Sequence, residues 1–75
     1  MLDSATVLAA IVAAKKAVWD GRREQVAMND SLLSINPDAV SKWAIIETEI
    51  AASTAEADYL QAELDLLNKD KPHGA

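Results

Sequence analysis

"VAMNDSLLSINPDAV", residues 26–40, decides the fold, because the segments on either side of it both read as long helices. If one helix runs through residues 26–35, the chain is an all-α helical hairpin. If the chain breaks there, a mixed α+β module results. Within the stretch, Asn29-Asp30 is a two-residue turn whose residues tolerate positive φ. Its flanks "EQVAM" and "SLLSI" would pair as a β-hairpin over 24–35, setting Val26 directly opposite Leu33 and Ala27 opposite Leu32. Read instead as helix, the same residues turn Val26, Leu33 and either Met28 or Leu32 toward a core, with Asn29 in the seam. Ala, Met, Leu, Glu and Gln favour the helix by composition. The punctuation favours the hairpin, with Gly21 before the stretch and Asn36-Pro37 after it. The expected fold is therefore α+β, mostly helical, in the order α-β-β-α. The alternative is an all-α helical hairpin or coiled coil.

Working outward, the N-terminal helix is expected over residues 4–20. Asp3 or Ser4 caps its start. Val7, Leu8, Ile11, Val12, Val18 and Trp19 fall on one broad face. Gly21 stands where a helix C-terminus favours glycine. Lys15 lies inside the apolar stripe, where a lysine either snorkels to the edge or meets an acid of a neighbouring chain. On the other side, Asn36 is a strong N-cap and Pro37 suits the first helical position, so a second helix is expected over 37–68. Along it Trp43, Ile46, Ile50, Ser53, Ala57, Leu60, Leu64 and Leu67 recur at alternating steps of three and four, a heptad seam. Pro72 and Gly74 close it, leaving residues 71–75 as a flexible tail. One domain, residues 1–70, accounts for the rest.

Seventy-five residues lie near the lower limit for a chain that folds alone. There is no Phe and no Cys, so neither a disulfide nor a thiolate metal site can staple the fold. A core this small rarely supplies more than about 3–5 kcal/mol, which points to burial against a sister subunit or partner. The net charge of −5 falls wholly on residues 37–75. An acidic chain lacks the counterion-release gain that drives nucleic-acid binding, so direct DNA or RNA binding is not expected. The apolar run Ala5 to Ala14 is too short to span a bilayer. With lysines after that run rather than before it, the polarity is wrong for a secretory signal. A soluble intracellular chain without membrane contact is the expectation.

"LAAIVAAKKAVWDGRR" and "PDAVSKWAIIETEI", covering roughly residues 8–50, resemble the small head-to-tail joining (head completion, gpW-like) proteins of tailed phages. The first is an Ala-rich helix ending at a glycine followed by basic residues. The second is an acid-started helix with an aromatic after a lysine. The resemblance implies an α-β-β-α module that assembles as a ring beneath the portal. It thus implies a structural virion protein found in the particle and, during assembly, in the host cytoplasm. The chain departs from the family in a hairpin that is not glycine-rich and a second helix that runs on past the expected core.

Catalytic chemistry is not expected. His73, the single imidazole, lies in a polar tail, so no nucleophile–base set can be assembled. No cofactor and no metal are expected either. Glu49, Glu56 and Glu63 recur every seven residues, about 10 Å apart along a helix, too far to converge on one ion. Their use is electrostatic pairing with another chain, or solubility. The residues expected to carry function are therefore interface residues: Lys15, Arg22, Arg23, Glu49, Glu56, Tyr59, Leu60, Leu64 and Leu67. They would serve a homo-oligomeric ring with neighbouring virion proteins, or an adapter that binds a partner helix through the leucine seam.

Overall fold

A computed structural model describes residues 3–69. It contains two antiparallel helices, α1 (Ser4–Ile35) and α2 (Lys42–Leu67), joined by residues 36–41. No strand occurs among the described residues. The expected α-β-β-α order is thus overturned: residues 24–35 are the last third of α1, and the chain is a helical hairpin.

The physical reason lies in the two residues that suggested a break. Gly21 continues the helix, at a cost near 1 kcal/mol relative to Ala that the flanking helix formers outweigh. Asn29 makes no turn. It is 7% exposed, and its Nδ2 donates to Thr48 Oγ1 at 3.0 Å across the helix pair. Thr48 in turn donates back to the carbonyls of Ala44 and Ile45, both at 2.9 Å. A buried amide with such a partner is better satisfied in the helix than in a solvated turn.

The real break is at Asn36-Pro37. Pro37 pushes the residue before it out of the helical region, and Asn36 is extended at φ −147°, ψ 115°. Its side chain accepts from the Asp38 amide at 3.0 Å, an Asx turn that reverses the chain. Asn36 therefore ends α1 and does not cap α2. The N-cap of α2 is Ser41, whose Oγ accepts from Ala44 N at 3.1 Å. At the other end of the hairpin, Asp3 Oδ1 accepts from Thr6 N at 2.7 Å. That bond holds the Asp3 carboxyl below its ordinary range.

Two cross-helix pairs fix the register. Asn29 meets Thr48, and Trp19 stacks on Tyr59 with centroids 5.3 Å apart and planes inclined by 25°. The interface that follows is a heptad row on each helix. On α1 it runs Ala5, Leu8, Val12, Lys15, Trp19, Arg22, Val26, Asn29, Leu33; on α2 it runs Ile45, Thr48, Ala52, Ala55, Tyr59, Ala62, Leu66. The most enclosed α2 positions are Ala55 and Ala62, each 6% exposed. The register sets them across from Arg22 and Lys15, so small residues leave room for the stems of long cations.

The core is thin. No large side chain is fully buried among the described residues. A radius of gyration of 17.0 Å compares with about 11 Å for a compact chain of this length. The extents of 53 × 27 × 14 Å describe a flat rod.

Candidate functional site

Two apolar rows remain outside the α1·α2 interface. On α2 the outer row is the leucine seam itself, Trp43, Ile46, Ile50, Ser53, Ala57, Leu60, Leu64 and Leu67. Trp43 is 74% exposed, Ile50 59% and Leu67 76%. On α1 the outer row is Val7, Ile11, Ala14, Val18, Gly21, Gln25, Met28, Leu32 and Ile35, with Ile35 84% exposed. Each row keeps the three-and-four spacing of a helix-packing stripe.

The two rows lie on different sides of the hairpin. Heptad geometry puts the α2 row nearly opposite its inner row, and the α1 row about a right angle from its own. The grooves between the helices agree with that placement. One groove is lined by Trp19, Arg23, Val26, Glu49, Ala52, Ser53 and Glu56, and so borders the α2 row at Ser53. On the other side a groove lined by Val18, Arg22, Ala51, Thr54, Ala55 and Asp58 borders the α1 row at Val18.

The interface residues expected from sequence therefore divide. Leu60, Leu64 and Leu67 belong to the exposed α2 row. Tyr59 does not: it faces α1, stacked on Trp19, with its hydroxyl donating to the Glu63 carboxylate. That hydrogen bond, together with desolvation, raises the Tyr59 phenol above its ordinary range. Arg23 lies over the Trp19 ring, Cζ 4.3 Å from the centroid, and pairs with Asp20 one turn earlier. It shares a groove with Glu49 and Glu56 of its own chain. Arg22 likewise shares grooves with Glu47 and with Asp58. Among the described residues, α1 thus holds an ion pair between Arg23 and Asp20 of the same helix, and Arg22 and Arg23 border grooves that also carry acids of α2. Lys15 is exposed on the inner row, toward the α2 C-terminus.

Sequence reasoning missed Thr48 as the partner of Asn29 and Trp19 as the partner of Tyr59. A second heptad row on α2, two residues out of step with the leucine row, was the available signal.

Among the described residues no three His, Asp or Glu side chains are placed to hold a metal ion. No described helix is long and apolar enough to cross a membrane. His73 and the tail at 71–75 lie outside the described residues. The arrangement is suited to burying apolar helix surface against other helices. Compared with known proteins, the chain matches no family model, no curated protein and no solved structure.

Proposed function

We propose that this chain is a non-catalytic adapter, a helical hairpin that offers the outer row of α2 to an apolar helix of another protein. One observation carries the reading. The hydrophobic heptad from Trp43 to Leu67 lies outside the inner row that packs on α1, and its large side chains stay 46–76% exposed. A contiguous apolar row of that length marks an interaction surface in a water-exposed protein. The groove edge beside it carries Glu49 and Glu56, with Glu63 one heptad on. A fitting partner is a helix with apolar residues at heptad spacing and Lys or Arg at the flanking positions.

The phage connector reading retains assembly with copies and neighbours as its general content. It rests on the helical segments within residues 8–50; the α-β-β-α order it implies does not occur among the described residues, where 24–35 are helical. A ring at the portal, and a place in the virion or host cytoplasm, belong to that second reading.

A photo-crosslinking side chain at position 60 or 64 tests the adapter. Cross-linked peptides from a distinct protein, carrying an apolar heptad with basic flanks, are expected. The same group at Thr54, an exposed position off the row, should give none. Equal yields at 54, 60 and 64 would remove the reading.

A further inference from the structure

Gly21 has no structural use within its own chain. It sits mid-helix, where glycine costs stability, with a helical backbone. A Cβ built on it meets nothing within 4 Å. It is also the central position of the outer row of α1. Glycine at the middle of an exposed helix stripe is of use where another backbone comes close.

We propose that the outer row of α1 is a self-association surface on which a second copy of this chain packs antiparallel, with the two-fold axis at Gly21. Reversed about that residue, the row sets Val7 against Ile35 of the second copy, Ile11 against Leu32, Ala14 against Met28 and Val18 against Gln25. Small then meets large on both sides of the paired glycines. A parallel pairing in register would instead oppose Ala14 to Ala14 and Met28 to Met28, leaving a void at one level and crowding at the other. It would also align the two helix dipoles.

Charge selects a second copy as the occupant and α1 as its face. None of the nine positions of the α1 row is charged, and the four bases and four acids of residues 1–36 cancel. The row's edges carry Lys15 and Arg22 on one side and Glu24 on the other, so two antiparallel α1 helices bring one like-charged pair together, Arg22 with its copy beside the two-fold axis, against three on the α2 row. The α2 row is edged by Glu49, Glu56 and Glu63, so pairing it with itself would bring like charges together. Area agrees as well. The large side chains of the row, at 41–84% exposure, offer on the order of 1,000 Å² for two copies together, the threshold that a specific interface has to clear. The pairing extends the hairpin on the side away from the adapter row, so one dimer would display two partner sites.

The chain has no cysteine, which makes cross-linking direct. Full-length Gly21→Cys is expected to form a disulfide dimer under mild oxidation. A mixture of Val18→Cys and Gln25→Cys chains should cross-link, and neither should do so alone. Gly21→Leu should keep its helix content while dimerising more than tenfold more weakly by sedimentation equilibrium. Leu60→Ser with Leu64→Ser should leave the Gly21 cross-link intact, so failure of the adapter reading and failure of this one are separable. Cross-linking of Val18→Cys to itself would show a parallel pairing. Cross-linking of Ala57→Cys to itself, without that at position 21, would put the copies on the α2 row. A wild-type chain that stays monomeric at millimolar concentration would also overturn the proposal.

Discussion

At the scale of single residues, polar and aromatic pairs set the register of the hairpin. Asn29 and Thr48 form one such pair. Because Thr48 also donates to its own helix, Asn29→Ala leaves no stranded hydroxyl hydrogen. A loss of about 1 kcal/mol, the net worth of one intramolecular hydrogen bond, is expected from urea denaturation. Tyr59 adds a dependence on alkaline pH. Its folded-state phenol is raised, first by the hydrogen bond to Glu63 and then by desolvation. The folded chain therefore holds the proton at pH values where the unfolded chain has lost it. The resulting stability is fully present below the ordinary tyrosine range near 10 and is lost as pH rises through the folded value. Tyr59→Phe should flatten the melting temperature between pH 9 and 11, measured by circular dichroism, relative to wild type.

At the scale of helices, α1 shows that a glycine and an Asn-Asp pair do not end a helix whose flanks favour it. Replacing Gly21 with Ala should stabilise the monomeric hairpin by about 0.5–1 kcal/mol, since the added Cβ meets open space. A measurement under dilute, monomeric conditions checks it. The break at Asn36-Pro37 was legible in the sequence, because proline acts on its neighbour through local sterics alone, but the start of the second helix was not: it was expected at Pro37 and lies at Lys42. The continuity of α1 was not legible either, because Gly21 and Asn29-Asp30 read as punctuation against a helix-favouring composition, and only the contact of Asn29 with Thr48 across the pair shows Asn29 as a seam residue. Leu60, Leu64 and Leu67 were legible as one apolar row, which the structure leaves exposed. Hydrophobic periodicity says that a face is to be buried, but not which helix buries it. Here Ala55 and Ala62 take the inner positions, and the larger leucines stay outside. Tyr59 was misplaced for the same reason.

At the scale of the whole molecule, the interface between the two helices is narrow, and two apolar rows on different sides stay exposed. Leu60→Ser with Leu64→Ser should weaken partner binding by more than a hundredfold, since each buried leucine contributes about 1.5–3 kcal/mol. The folded state of residues 4–67 should be unaffected, as both side chains face away from α1. Titration of a cross-linked partner helix by calorimetry, with circular dichroism as the folding control, reads both. The central claim beneath all of this is that the alanine-lined row of α2, and not its leucine row, packs on α1. Intramolecular nuclear Overhauser contacts in a dilute mixture of labelled and unlabelled chains test it most directly. Contacts between the Trp19 and Tyr59 rings and between Asn29 and Thr48, with none from the Leu60 or Leu64 methyls to α1, are predicted. Leu60 or Leu64 methyl contacts to Val12 or Trp19 of the same chain would contradict it.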